Sequence, residues 1–248
     1  MNAFLQHLWV QFRMDARERG TLLTFYAVPL TFFVVMGAVF SSINPTARET
    51  LAASMSIFAV TMGAVLGAPI PLVKMREFGV LRAYRVSGVP SRAVLLIQEV
   101  SAFFHLLLVS AIIFAAAPLL FGAGAPRDYI GYFIILLIYI FASIALGLLI
   151  GVTARSQSMA TMLSQAVFLP SLLLSGIMFP ASLLPRPLLW LGRIFPATHA
   201  MQSFSVLAYH LKANYSGASA LGITACIGVL ATVAAVWRFE AAGREESG

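Results

Sequence analysis

Two side chains in a long apolar run are of types that can do chemistry: Glu99, just inside its start, and His105, near mid-bilayer depth. Gln98 lies beside Glu99, and it shares a helical face with His105 because the two are seven residues apart. A charged side chain is costly inside a bilayer, so ionisable residues there are functional by default. Alternatively, Glu99 reaches the membrane surface or pairs with a basic loop residue. Its shallow position in the run favours this alternative.

The sequence contains no spacing typical of a hydrolase or of a zinc protease, since neither G-x-S-x-G nor H-E-x-x-H occurs. His199 and His210 are too far apart in sequence to be read as a pair of metal ligands. A membrane-embedded enzyme that uses Glu99, His105 and His199 stays open as an alternative class. A secondary transporter is a second possible class, although it would normally need more spans and more charged residues at mid-bilayer.

A transport pathway needs side chains that line it, and the apolar candidates are Phe58, Met62 and Phe168. Glu99 and His105 are the polar candidates. The same Phe and Met residues are equally expected against lipid or against neighbouring helices. The phosphate loop G-x-x-x-x-G-K-[ST] is absent, so this chain cannot hydrolyse ATP by that route.

Composition places these residues in a helical membrane protein. The chain has 248 residues, of which 60% are hydrophobic and 10% charged, and its mean hydropathy is +0.91. Soluble domains carry about 25% charged residues, and the apolar runs approach the roughly 20 residues that a spanning helix needs. The net charge of +7 comes from basic residues near span ends, which suits a membrane surface and not nucleic acid.

The apolar runs predict an all-α fold with six transmembrane helices. An amphipathic interfacial helix is expected over residues 1–21, with Phe4, Leu8 and Phe12 on its apolar face. One six-span transmembrane domain follows over residues 22–248. Its predicted spans are residues 22–41, 51–73, 94–121, 129–152, 158–178 and 218–237.

Between the fifth and sixth spans, the chain is apolar but interrupted by Pro180, Pro185, Pro187 and Pro196. Proline removes a backbone donor and interrupts helices, so neither piece between the prolines is long enough to cross a bilayer. This pattern predicts a re-entrant pair of short helices that dip into the membrane and return.

The loop over residues 74–92 is basic and patterned. It carries Lys74, Arg76, Arg82, Arg85 and Arg92, and its apolar residues recur at helical spacing. With the N-terminus inside, 11 of the 16 Lys and Arg residues fall on the cytoplasmic side, as the positive-inside rule requires. The pattern predicts a short amphipathic helix for a soluble partner. An ordinary basic loop near anionic headgroups is the alternative.

Two motifs carry a resemblance to a known family. The first is R-E-x-G-x-L-R from residue 76 to 82, followed by S-G-V-P at 87–90. The second is L-S-G-I-M-F-P at 174–180, followed by P-L-L-W-L-G-R-I-F-P-A-T-H-A at 187–200. Together they resemble the type-2 ABC transporter permeases, the membrane subunits of bacterial drug, polysaccharide and lipid exporters. The chain departs from the usual acidic run at Lys74, Phe78 and Val80.

The resemblance implies an exporter in the bacterial inner membrane, with both termini cytoplasmic. Two six-span subunits, often identical, would stand above two ABC ATPase subunits, which bind ATP and Mg²⁺, while this chain binds no cofactor. The implied substrate is a hydrophobic or amphipathic small molecule of the drug or antibiotic type. A lipid or a lipid-linked polysaccharide is the alternative.

The resemblance also implies roles for particular residues. The N-terminal helix and the 74–92 loop would contact the ATPase, and we expect the loop contacts to be Arg76, Glu77, Gly79, Leu81, Arg82, Tyr84 and Arg85. The re-entrant segment would include Gly176, Phe179, Pro180, Pro196 and His199.

The charge distribution predicts that Ser87 is cytoplasmic and Ser216 is outside. Cysteine is introduced at each position, with Cys226 replaced, and intact cells are treated with an impermeant thiol reagent. We expect labelling at position 216 alone. Labelling at position 87 and not at 216 would mean that the orientation is inverted.

Overall fold

The computed structural model describes residues 3–43, 45–80, 84, 91–178, 183–211 and 215–245. Within these ranges the regular structure is entirely helical, and six helices are long and apolar enough to cross a membrane. The predicted fold class, an all-α membrane protein with six spans, is confirmed.

An N-terminal helix, α1 (Ala3–Asp15), precedes the first spanning helix, α2 (Arg19–Ser42). The short helix α3 (Pro45–Glu49) leads to the second span, α4 (Leu51–Glu77). The third, fourth and fifth spans are α5 (Ser91–Phe121), α6 (Tyr129–Thr153) and α7 (Gln157–Leu174). Two short helices, α8 (Arg186–Gly192) and α9 (Pro196–Ser203), precede the sixth span, α10 (Gly217–Glu245).

The second span runs to Glu77, beyond residue 73 where the apolar run ends. Its helix widens into a π-helical stretch over Met62–Gly67 and then continues from Pro69. Pro69 and Pro71 fit here because the first turn of a helical segment has no need of their missing N–H groups. Arg76 and Glu77 therefore lie in the last helical turn of this span.

The fifth span is shorter than the apolar run suggests. Helix α7 ends at Leu174, and Gly176 follows with φ of 85°. Glycine adopts positive φ without steric cost, so the chain turns here. The third span ends in a similar way at Gly122 (φ 58°), where the Ala123 N–H bonds to the Ala117 carbonyl in a helix C-cap.

Helices α4 and α6 form the centre of the bundle. In their most apolar stretches 67% and 56% of residues are buried, against 33% or less in each of the other four spans. Hydroxyl groups join the two helices, with Ser56 bonded to Tyr132 (3.3 Å) and Thr61 to Tyr139 (2.5 Å). Such bonds satisfy polar groups that hydrocarbon cannot.

The backbones of α4 and α6 approach closely at Gly147. A Cβ at this position would overlap the carbonyl oxygen of Ala64, which is backbone and cannot rotate away. Gly67 of α4 plays a similar part toward α2, because a Cβ there would press against the ring of Phe25. Gly63 does so toward α5, because a Cβ there would overlap the side chain of Leu106. Small residues thus set the spacing of the central helices.

We predict that Gly147→Ala destabilises the bundle by about 1–3 kcal/mol, because the added methyl forces α4 and α6 apart. The measurement is the thermal midpoint of the detergent-solubilised chain, followed by size-exclusion fluorescence. Gly222→Ala in α10 is the matched control, since a Cβ there would meet nothing within 4 Å. Equal midpoints for the two variants would show that the Gly147 contact does not limit the packing.

Candidate functional site

Arg76, at the end of α4, holds the C-terminal end of α6. Its guanidinium donates to the carbonyl oxygens of Val152 (2.9 Å), Ala154 (2.6 Å) and Gly151. The last carbonyls of a helix have no partner within it and carry partial negative charge. A guanidinium with several N–H donors in a fixed plane suits this cluster better than an ammonium.

Glu77, the next residue, holds the start of α7. Its carboxylate accepts from the Gln157 backbone N–H (3.2 Å) and from the Gln157 side-chain amide (2.5 Å). The first N–H groups of a helix are unpaired and partially positive, so a carboxylate is favourable there. Ser156 caps the same helix by accepting from the Met159 N–H (3.2 Å). Arg76 and Glu77 therefore hold both sides of the α6–α7 turn.

Two of the predicted ATPase-contact residues, Arg76 and Glu77, build this corner. Gly79 follows with φ of 69°, and nothing lies within 4 Å of the place of its Cβ, so backbone conformation and not space favours glycine here. Tyr84 contacts α1, because its hydroxyl lies 3.4 Å from His7 Nε2. Leu81, Arg82 and Arg85 lie outside the described residues. Contact with an ATPase stays a prediction for the whole set.

Helix α1 is fastened to α5 by a carboxylate. Asp15 accepts from Ser101 Oγ (2.6 Å) and from Gln11 Nε2 (2.8 Å). Phe12 stacks on the ring of His105, with ring centroids 4.4 Å apart. The structure thus joins the two elements to which the resemblance assigns ATPase contact, through Tyr84 and His7, and anchors α1 on the third span. Placement of α1 on the membrane surface stays a prediction.

Sequence reasoning missed Asp15 and Tyr26 as partners of His105. The Tyr26 hydroxyl lies 2.6 Å from His105 Nδ1, and Asp15 Oδ2 lies 3.9 Å from His105 Nε2. The spacing of Gln11 and Asp15, four residues apart, does indicate a local pair. Nothing local links either residue to a histidine that lies 79 residues or more along the chain.

Glu99 lines a cavity together with Asp15, Gln98 and His105. The cavity has about 40 Å³ of space for the centres of water-sized groups. One water needs at least about 10–15 Å³ by this measure, so only a few waters or one small group fit. Among the described residues, the Glu99 carboxylate has no basic partner.

The five candidate pathway residues fall into two groups. Phe58 stacks on Phe32 of the first span (3.9 Å between centroids) and lies 6.0 Å from the ring of Phe168. Phe58 and Phe168 are buried and Met62 is half-buried, so these three belong to the bundle core in this structure. Glu99 and His105 belong to the cavity. A role in the pathway stays a prediction for all five.

The segment between the fifth and sixth spans contains α8 and α9, two short helices joined by a turn. Pro196 occupies the first turn of α9, where proline is favoured. Gly176 reverses the chain after α7, whereas Phe179 and Pro180 lie outside the described residues. Entry of this segment into the membrane stays a prediction.

His199 ties this segment to the start of the sixth span. Its Nε2 lies 2.7 Å from the Arg193 carbonyl and its Nδ1 lies 2.7 Å from the Tyr215 hydroxyl. The imidazole therefore donates to the carbonyl and accepts from the phenol. Burial lowers the pKa of His199, which favours this neutral form. With both ring nitrogens occupied here, His199 is not brought to the cavity that holds Glu99 and His105.

The sequence of this chain has counterparts among known proteins. Residues 2–209 match the ABC-2 type transporter family. The chain belongs to that family. A 60-residue stretch is also 40% identical to ABC transporter G family member 20 of Dictyostelium discoideum, covering 24% of this chain and 8% of that relative. The chain therefore corresponds to a small part of that protein's length. As an ABC-2 family member with six apolar helices, it is a multi-pass membrane component of an ABC transporter.

We predict that Arg76→Lys lowers the free energy of unfolding by about 1.5–3 kcal/mol, because an ammonium cannot bond all three carbonyls in their plane. The thermal midpoint in detergent measures the effect. Lys74→Gln, two residues away, is the control. Lys74 makes a half-exposed ion pair with Glu18 (3.6 Å), and such pairs contribute about 0–1 kcal/mol. Similar midpoints for both variants would contradict a structural role for the Arg76 bonds.

Proposed function

We propose that this chain is the permease subunit of an ATP-driven exporter in a bacterial inner membrane, with both termini cytoplasmic. Two copies would enclose the pathway, and two ABC ATPase subunits would bind ATP and Mg²⁺ beneath them. The cargo would be a hydrophobic or amphipathic small molecule of the drug or antibiotic type, as in a multidrug exporter. A lipid or lipid-linked polysaccharide is the alternative cargo.

The observation that carries this proposal is the corner built by Arg76 and Glu77. An element that receives force from a partner needs rigid connections to the helices it moves. Arg76 bonds the end of α6, and Glu77 bonds the start of α7. A displacement of the 74–92 segment is therefore passed to three spanning helices through charge-assisted hydrogen bonds, which are the stronger kind.

Helix α1 supplies a second point of contact. It touches Tyr84 through His7, and it is bonded to α5 through Asp15 and Ser101. Binding of ATP by the partner would favour one arrangement of these elements, and hydrolysis would release it. This is a two-state equilibrium biased by differential contacts with nucleotide-bound and nucleotide-free ATPase.

Glu77 is less suited than Arg82 to a test of the coupling. Glu77 bonds Gln157 within the chain, so its reversal would disturb the permease itself. Arg82 lies in the same basic segment, and we therefore choose it for the test of ATPase coupling. Arg48 in α3 is an exposed arginine in the connection between the first two spans, on the side predicted to lie outside.

We predict that Arg82→Glu weakens ATPase binding or uncouples hydrolysis from transport, while Arg48→Glu does neither. Truncating one partner of a buried interfacial charge pair costs about 2–5 kcal/mol, and reversal is at least as severe. Each variant is purified with its co-expressed ATPase, and recovery of the complex and substrate-stimulated hydrolysis are measured. Full recovery of the complex and full transport by Arg82→Glu would mean that the segment only connects two spans and does not couple them to the ATPase.

A further inference from the structure

The cavity near Glu99 lies where α1 meets the bundle. Its walls come from five helices, with Asp15 from α1, Phe25 from α2, Leu72 from α4, Glu99 and His105 from α5, and Leu148 from α6. Most of this wall is apolar, so the polar groups in it determine what binds. The space suits one small polar group attached to a larger molecule and is too small for a whole drug-sized molecule.

The polar wall is acidic. Asp15 and Glu99 both line the cavity, and none of its described lining residues is Lys or Arg. The nearby ammonium of Lys74 is paired with Glu18 at 3.6 Å, and neither of these lines the cavity. Two carboxylates against an apolar wall are costly without a positive charge between them. The cavity therefore favours a cation.

His105 supplies the second, independent observation. Its side chain is 2% exposed. Nδ1 bonds the Tyr26 hydroxyl, whereas Nε2 has no hydrogen-bond partner in the part of the chain that the structure describes. A buried nitrogen left in this state costs about 1–3 kcal/mol. Nε2 lies on the side of Asp15, 3.9 Å from Oδ2.

We infer that this cavity binds the protonated primary amine of an amphipathic molecule. A primary ammonium has three N–H donors, and the carboxylate oxygens of Asp15 and Glu99, which line the cavity, are acceptors for them. A quaternary ammonium is larger and donates no hydrogen bond. A metal ion is disfavoured, since no described group of three His, Cys, Asp or Glu residues is arranged to hold one.

The amine has two chemical sources, which the test separates. One is a lipid whose headgroup ends in a primary amine, such as phosphatidylethanolamine. The other is a free amphipathic amine. The apolar groove beside α1, lined by Trp9, Phe12 and Leu108 among others, runs along the middle of α5, and Phe12 stacks on His105 of the cavity. The site goes beyond the proposed export function, because the cavity belongs to this chain alone and needs neither ATPase nor nucleotide.

The test uses the full chain in nanodiscs of phosphatidylcholine and phosphatidylglycerol, without nucleotide. Calorimetric titration with n-octylamine, with empty discs as the blank, should show saturable binding. Octyltrimethylammonium should bind at least about tenfold more weakly, because it loses every charge-assisted hydrogen bond. This comparison needs no mutant, so it stands even if a variant fails to fold.

Glu99→Gln should weaken octylamine binding about tenfold or more, whereas Glu18→Gln, which removes a carboxylate outside the cavity, should leave it unchanged. Discs that contain phosphatidylethanolamine identify the source, since lost octylamine binding indicates the lipid headgroup and retained binding indicates a free amine. The inference is overturned by no saturable binding in the first discs, by equal affinity for octyltrimethylammonium, or by wild-type affinity in a folded Glu99→Gln variant. Loss of transport with intact amine binding would contradict the export function alone.

Discussion

The guanidinium of Arg76 lies where the second, fourth and fifth spans meet, and the carbonyls it bonds have no other helical partner. A membrane interior offers no water to satisfy such groups, so helix ends must find partners at the surface or within the protein. Here one arginine serves the end of α6, and the adjacent Glu77 serves the start of α7. The pair thus bonds both ends of the turn between these spans.

The same constraint explains the centre of the bundle. Helix α6 is buried along much of its length, so its hydroxyl groups need partners on α4. Tyr132 and Tyr139 find Ser56 and Thr61 there, and this is possible because Gly147 lets the two backbones come close. The hydrogen bonds and the close packing depend on each other, because a larger side chain at position 147 would push the two helices apart and lengthen the hydrogen bonds.

Hydropathy and proline spacing were enough to predict six spans and two short helices before the last of them. These features depend on local composition, and a spanning helix is long enough to be read without its neighbours. The ends of the spans were less predictable. Glu77 lies four residues beyond the apolar run because partners on α6 and α7 pay the cost of its charge and that of Arg76.

Only part of each candidate site could be predicted from the sequence. Glu99 and His105 stood out because polar residues are rare in an apolar run, and Arg76 and Glu77 stood out through a motif. Their actual partners did not, since Asp15, Tyr26 and Gln157 are ordinary residues whose importance comes from folding. The motif predicts that Glu77 contacts an ATPase. It does not reveal that the Glu77 carboxylate also has a partner within the chain, the side chain of Gln157.

The contacts at this end of the bundle differ in kind, and the difference bears on how the spans move together. Helices α4, α6 and α7 are joined by charged hydrogen bonds, and α1 is joined to α5 by the Asp15 carboxylate. The last span meets the same corner through an apolar cluster, in which Ala235 and Phe239 pack near Leu72 and Leu148. Apolar packing has no preferred direction, whereas a charged hydrogen bond weakens steeply as it lengthens or bends. These bonds therefore hold α4, α6 and α7 together as one unit at this corner, and α10 is held there by apolar packing.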